Sequence, residues 1–569
     1  FFSLSGFCCV FRCVLAAQTW AQDHLKELTL EEKIAQLFIL PVWTEGPSTN
    51  LDEIEDLIKK YHLGSILFMQ GEIKSQIQAY NRLQSISKLP LLVGQDNEWG
   101  LELRLKDGLR FPRNLTLGAL QNKKLIYYLG KEIAQQCKAV GVHINFAPVI
   151  DVNNNPNNPV INDRSFGEDS DEVSMRGLLM MLGMQEGGVY ACAKHFPGHG
   201  DTEIDSHLAL PVIHKSKGAL HQVEWKPFKA LIEKNLSAIM TAHLLLPDYD
   251  SLYPSSLSPA LVNMELKENL GFNGLVITDS FQMKAISDHF EDGDSDVLAL
   301  VAGNDLIIRF KHFETAFKRV KTAVIQGKIS EEEINHKVLK ILEAKERFNL
   351  HKNRKLEPID LFSKDALSLK NQLFKEAITL VENQSLPALS PNEKLAFIQI
   401  GRDVLMKNAL EILHSPLQEQ HPKKLPAFYR ALKSELTIDF FFLPKSAEKK
   451  DVTFLLEKLS TYSKVVIGVF EMNKYSKLHF GIQKSTLDFL SSLKKENKHL
   501  YLALFGSPYS LKFFENEPFL LMCYENDDDA QVGAAEILLG KQIPLGRLPI
   551  TASKKYPIGH GINQNLKAF

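Results

Sequence analysis

The chain is 569 residues long, more than one hydrophobic core usually organises, so two domains and a connection are expected. An apolar fraction of 44% and a charged fraction of 24% are those of an ordinary folded protein and exclude wholesale disorder. A formal charge of -2 gives no electrostatic ground for a nucleic-acid partner and points to a small, polar one.

The chain opens on FFSLSGFCCVFRCVLA, an apolar run followed by AQTWAQ, with Val14 and Ala16 placed as the small residues of a cleavage site. Residues 1–22 are read as a signal peptide, which implies a periplasmic or extracellular protein. The alternative is a plain hydrophobic extension on a cytoplasmic protein, because Arg12 interrupts the run and no basic segment precedes it. No later stretch reaches the ~20 unbroken apolar residues of a spanning helix, so no stable membrane insertion is expected once a signal is removed. The six cysteines, three of them at Cys8, Cys9 and Cys13, include no CxxC pair and are too few for a disulfide scaffold.

Short apolar, β-branched runs then recur: IAQLFILPVW (34–43), GSILFM (64–69), LPLLVGQD (89–96), VHINFAPVIDV (142–152), VYACAKHF (189–196), LSAIMTAHLLLP (236–247), GLVITDSF (274–281) and NDLIIRF (304–310). Runs that are apolar throughout, not alternating, predict strands buried on both faces, as in a parallel sheet. Between them, stretches such as 122–141, 171–188 and 222–235 repeat apolar residues every three or four positions and predict amphipathic helices. This alternation over residues 23–350 predicts a (β/α)8 TIM-type barrel. Asp96, Asp151, Lys194, His195, His243 and Asp279 each fall at or just past the end of a predicted strand. A barrel carries its chemistry at that rim, so these residues are expected to converge.

Residues 351–372, charged and containing a proline, are read as a linker. New strand runs at 394–401, 436–444, 464–470, 500–506 and 518–524 alternate with helical stretches, so residues 373–569 are expected to form a C-terminal α/β sandwich. The most polar loop of the barrel is KHFPGHGDTEIDSH (194–207), after the fifth strand, with three histidines, a lysine and several carboxylates in one irregular stretch.

That loop, with NFAPVIDVNNNPNNPVINDRSFGED before it and IMTAHLLLP and NGLVITDSFQM after it, resembles the β-N-acetylglucosaminidases of glycoside hydrolase family 3, the NagZ-like group. The resemblance runs in order through most of 23–350, and ILLGKQIPLGRLPIT is similar to the end of that family's second domain. It implies removal of a terminal β-linked N-acetylglucosamine (GlcNAc), typically from peptidoglycan fragments carrying N-acetylmuramic acid or its anhydro form. It implies a carbohydrate as the partner, with no cofactor and no metal.

Retaining hydrolysis needs a carboxylate to attack the anomeric carbon and a proton donor for the departing oxygen. By resemblance the nucleophile is Asp279; as a residue alone it reads equally as a helix N-cap. The acid is His207, with Asp205 as its partner, since a nearby carboxylate orients an imidazole and favours its protonated form. Gly198 and Gly200 suit a loop that bends sharply over a substrate. Asp96, Arg104, Arg164, Lys194 and His195 match sugar-binding positions, against the alternative of ion pairing at the rim. The segment QDNEWGLELRLK departs from the family's glycine-rich pattern, which bears on Asp96 and Arg104. His243 is read as a supporting or core histidine.

Other functions remain open at this level. A metal-dependent amidohydrolase could draw ligands from His195, His199, His207, His243 and Asp279, although the expected His-x-His after the first strand is replaced by ILPVWTEG. A non-catalytic sugar-binding protein would not need acid, partner and nucleophile together. A family 3 β-glucosidase would take its acid from the second domain, where Glu471 is the candidate. Phosphate in place of water as the glycosyl acceptor is compatible with a histidine acid.

Overall fold

The computed structural model of the protein describes residues 19–309, 311–357, 361–401, 425–445, 447–470 and 472–564. Residues 1–18, with most of the segment read as a signal, and Glu471 lie outside the described residues.

Eight strands form the first sheet: β1 Phe38–Val42, β2 Ser65–Phe68, β3 Leu92–Gln95, β4 Ile144–Asn145, β5 Tyr190–Phe196, β6 Ala238–Thr241, β7 Leu275–Thr278 and β8 Ile307–Ile308. Each pairs in parallel with its sequence neighbour from β1 through β7, and β8 returns to lie beside β1. A parallel bridge between Ile277 and Leu306 joins the last two strands and closes the ring. Nearly every strand residue is buried, which is why the runs are apolar throughout.

The first apolar run starts four residues before its strand. Leu30–Gln36 is a helix, started by a capping box in which Thr29 Oγ1 accepts from Glu32 N while the Glu32 carboxylate accepts from Thr29 N. These two reciprocal bonds satisfy amides that a helix start otherwise leaves unpaired. The strand therefore begins only at Phe38. The three predicted helices appear as Lys124–Ala139, Ser170–Glu186 and Trp225–Ile232, covering the barrel wall.

The second unit holds a six-stranded sheet in the order β11-β10-β12-β13-β14-β9, with β9 Thr379–Asn383, β10 Leu395–Ile400, β11 Ile438–Leu443, β12 Lys464–Val469, β13 His499–Leu504 and β14 Phe519–Met522. Only β9 runs antiparallel, on the edge beside β14. Ser363 Oγ caps a helix at Lys364–Ala377, so regular structure begins inside the stretch read as a linker, and the boundary at 372 falls within that helix.

The two units meet along the barrel rim. Glu525, just after β14, forms an ion pair with Arg110 and accepts hydrogen bonds from Arg113 N at 2.8 Å and Thr116 Oγ1 at 2.6 Å. Asn153 Nδ2 donates to Tyr509 Oη at 2.8 Å. The long segment after β4, which carries Arg164, is thereby held between the barrel and the second domain.

Candidate active site

The strand ends converge on a cavity of about 460 Å³ at the C-terminal rim of the barrel. β3 delivers Asp96, β5 delivers Lys194 and His195, and β7 delivers Asp279; all four line it together with Arg104, Arg164 and His207. Every residue the sequence assigned to the site, Asp205 excepted, therefore faces one space. Asp205 lies behind His207 and touches the cavity through it.

Asp279 is fixed by its backbone, whose amide donates to Thr241 O at 2.9 Å and so continues the pairing of β7 with β6. Its Oδ1 accepts from Ser280 N at 2.7 Å. The next helix begins only at Lys284, with Met283 at its start, so the N-cap reading of Asp279 does not hold. Burial would push its carboxyl up, but the imidazoles of His195 and His243, the Ser280 amide and His207 outweigh that and hold it below the usual carboxylate range. An ionised carboxylate aimed into a pocket is the state a nucleophile requires.

Across the cavity lies a network of paired charges. Lys194 Nζ stands 2.7 Å from Asp96 Oδ1 and 2.8 Å from Glu98 Oε1. Arg104 pairs with the other Asp96 oxygen. Arg164 grips Glu98 with two parallel bonds, Nε to Oε2 at 3.0 Å and Nη2 to Oε1 at 2.7 Å. Burial alone would raise both carboxyls; Lys194 and Arg104 hold Asp96 well below the usual range, and Arg164 and Lys194 do the same for Glu98. Conversely, burial would lower Lys194, and the two carboxylates keep it raised and charged. The result is an ionised wall of paired acceptors and donors, suited to sugar hydroxyls. Despite the unusual QDNEWGLELRLK segment, Asp96 and Arg104 sit side by side in it.

His195 is oriented from behind: its Nδ1 donates to Asp151 Oδ2 at 2.7 Å, leaving Nε2 facing Arg164 Nη2 at 3.4 Å. The other Asp151 oxygen accepts from the His195 and His199 amides at 3.3 and 2.7 Å. Asp151 thus shapes two neighbouring turns of the loop without lining the cavity. Glu98 and the supporting role of Asp151 were missed in the sequence; the signal for Glu98 was a second carboxylate two residues beyond Asp96 on the same rim.

The loop after β5 leaves the barrel through Gly198, at φ +118°. At Gly200 a Cβ would lie 1.8 Å from Val152 O, so no side chain fits there. Asn158 Nδ2 donates to His199 O and Gly200 O at 2.8 and 2.9 Å. The His199 ring, pushed down to about 4 chiefly by burial and also by His195, is neutral and bonds Thr202 Oγ1 and Ser206 Oγ, both at 2.9 Å. Beyond this anchored base, His207 Nδ1 donates to Asp205 Oδ1 at 2.8 Å, and the same oxygen accepts from the His207 amide at 2.9 Å. That fixes the tautomer and leaves Nε2 as the nitrogen for proton exchange. The His207 side chain is 63% exposed, at the open side of the cavity.

His243 is a supporting residue: buried behind Ser280, its Nδ1 lies 2.7 Å from Ser256 Oγ and its Nε2 donates to Ser280 O at 3.1 Å. These partners bear on the amidohydrolase reading. Each of His195, His199, His207 and His243 is committed to a protein group, and Arg164 points its cation at the free nitrogen of His195. No group of three or more His, Cys, Asp or Glu is placed to hold a metal ion among the described residues. The donor set does not fit a metal centre.

A closed parallel barrel with a carboxylate held ionised opposite a wall of paired charges fits a glycoside hydrolase. The chain belongs to glycosyl hydrolase family 3, whose N-terminal domain matches residues 29–344. It is 29% identical over 416 residues to beta-hexosaminidase A of Pseudoalteromonas piscicida, covering 65% of this chain and 70% of that one. It is 35% identical over 264 residues to the beta-hexosaminidase of Thiobacillus denitrificans, covering 44% and 72%. Among solved structures, a family 3 beta-N-acetylglucosaminidase from Paenibacillus superposes with a TM-score of 0.76 at 29% identity, over 92% of this chain and 98% of that one. A beta-glucosidase from Listeria innocua shares the fold at 20% identity and a TM-score of 0.77, over 94% of this chain and 76% of that one. No helix among the described residues is long and apolar enough to cross a membrane.

Proposed function

We propose that the chain is a retaining exo-β-N-acetylglucosaminidase that releases terminal GlcNAc from peptidoglycan fragments such as GlcNAc-MurNAc or GlcNAc-anhydroMurNAc. The observation that carries this reading is the Asp205–His207 pair, joined at 2.8 Å on a loop that lines the same cavity as Asp279. Asp279 attacks the anomeric carbon as the glycosidic C–O bond breaks, and His207 gives its Nε2 proton to the departing oxygen. Water then attacks the same carbon, returns a proton to His207 and frees Asp279, so the anomer is retained. Asp96, Arg104, Arg164, Lys194 and His195 hold the sugar's hydroxyl and acetamido groups. The GlcNAc preference is supported by the names of the hexosaminidase relatives and of the Paenibacillus structure. With the apolar N-terminal run acting as a signal that ends before the helix Trp20–Glu27, which packs on the barrel, the fragments would be met outside the cytoplasm.

Hydrolysis of nitrophenyl β-GlcNAc and nitrophenyl β-glucoside, each with and without phosphate, tests the reading. GlcNAc glycoside is expected to be preferred, at a rate phosphate does not change. Preference for glucose would make the enzyme a β-glucosidase, and phosphate-dependent formation of a sugar 1-phosphate would make it a phosphorylase.

A further inference from the structure

Trp99, on the cavity wall, has no part in the chemistry above. It directly follows Glu98 after β3 and lines the cavity with Asp96 and Arg104, four strands around the barrel from β7 and Asp279. A pyranose with its anomeric carbon at Asp279 points the hydroxyl on C4, on the opposite side of the sugar ring, toward that side of the barrel. This step rests on the proposed reaction, because Asp279 and His207 fix which end of the sugar is which.

The indole is held in place more firmly than an incidental surface aromatic. Its Nε1 donates to Glu102 Oε2 at 3.1 Å, and its backbone carbonyl accepts from Phe111 N at 2.8 Å. The next residue, Gly100, has φ +99°, and a Cβ there would lie 2.5 Å from Leu109 O, so the turn is pressed directly against the 109–113 segment. The Arg113 guanidinium lies over the indole, 4.5 Å from its centroid, a cation–π contact that backs the ring. Arg113 is itself clamped twice: its side chain pairs with Asp163, and its backbone amide donates to Glu525 of the second domain. Asp163 lies 3.8 Å from Lys474 Nζ, and Asn162 Nδ2 donates to Lys474 O at 3.2 Å, so the second domain braces this corner from two sides.

Behind the wall there is room. A second cavity of about 330 Å³ lies between the domains, lined by Arg113, Asp163 and Lys474, so the stacked Trp99–Arg113 pair stands between it and the sugar pocket. We propose that the Trp99 indole, backed by Arg113, confines the site to a terminal sugar by meeting any substituent on the C4 hydroxyl, and that bracing this wall is a function of the second domain. Trp99 is then a specificity-determining residue that excludes internal residues of a β-1,4 chain, where the C4 oxygen carries the next sugar.

The test compares nitrophenyl β-GlcNAc with its 4-O-methyl ether on the full chain, taking the ratio of kcat/KM for ether over parent. Wild type should discriminate strongly against the ether. In Trp99→Ala the ratio should rise roughly tenfold or more, the scale on which a pocket discriminates small groups. Trp99→Phe should return it toward wild type, which a general loosening of the site would not do. Arg113→Ala, which removes the backing and leaves the indole, should raise the ratio as well and serves if Trp99→Ala does not fold. The proposal is overturned if wild type accepts the ether as readily as the parent, or if the folded variants leave the ratio unchanged. If the enzyme prefers glucosides, the same ratio is read on nitrophenyl β-glucoside and its 4-O-methyl ether, so failure of the GlcNAc reading and failure of the wall are separate results.

Discussion

Asp279→Ala is expected to lower turnover of nitrophenyl β-GlcNAc by roughly 10⁴–10⁶-fold, the range found when one member of a catalytic unit is deleted. The expectation comes from position. The Asp279 amide continues the pairing of β7 with β6, so the carboxylate has little freedom, and its surroundings keep it ionised. The charged wall of Asp96, Glu98, Lys194 and Arg164 is built from β3, β5 and the segment after β4, and does not depend on Asp279 for any of its ion pairs. Binding of free GlcNAc, measured by calorimetry, should therefore survive in the variant while turnover does not. Loss of both together would place Asp279 among the groups that hold the sugar instead of the groups that react with it.

Removal of the acid should act differently on different substrates. A sugar alcohol leaves poorly without a proton, whereas nitrophenolate departs unaided. His207→Ala should cost roughly 10²–10⁴-fold on GlcNAc-anhydroMurNAc, the usual contribution of a positioned proton donor. On the nitrophenyl glycoside the loss should be much smaller in the step that cleaves the aglycone. Asp205→Ala should follow the same pattern, because Asp205 touches the reaction only through His207 Nδ1. The double variant should then cost far less than the product of the two single losses, the signature of residues that act as one unit. Independent losses, equal for both substrates, would make the pair a binding element. Most of the loop's other contacts, from Asn158 to the His199 bonds with Thr202 and Ser206, involve neither residue, so its base should persist in both variants.

The barrel could be seen in the chain because its strands are buried on both faces, and that burial leaves uninterrupted apolar runs. The same property blurred the strand limits. An apolar run does not say how much of it pairs regularly: β4 is two residues, Ile144–Asn145, within a run of eleven, and its continuation stays beside β5 through the Val149–Lys194 bridge outside the regular ladder. At the first strand the Thr29–Glu32 capping box marks a helix before Phe38, a weaker signal than the apolar pattern it adjoins. The edge strand β9 escaped because TLVEN is short and follows a helix without a turn motif.

The site was legible where position alone decides. A polar residue at the end of a buried strand must face the rim, which is why Asp96, Lys194, His195 and Asp279 could be placed together. Pairings that cross the barrel were not legible. Arg164 and Glu98 are 66 positions apart, and His195 and Asp151 are 44 apart, so nothing local marks them as partners. The wall formed by Trp99, Arg113 and Asp163 was hidden for the same reason, with its outer braces in a different domain.

The central claim is that Asp279 becomes covalently bonded to the sugar. Incubation with a slow, mechanism-based 5-fluoro GlcNAc donor, followed by proteolysis and mass spectrometry, tests it most directly. The account predicts one added glycosyl group on the peptide containing Asp279, with a product that keeps the β-configuration when the adduct turns over. A label on Asp96, Glu98 or Asp151, or an unlabelled enzyme that releases the inverted anomer, would contradict it.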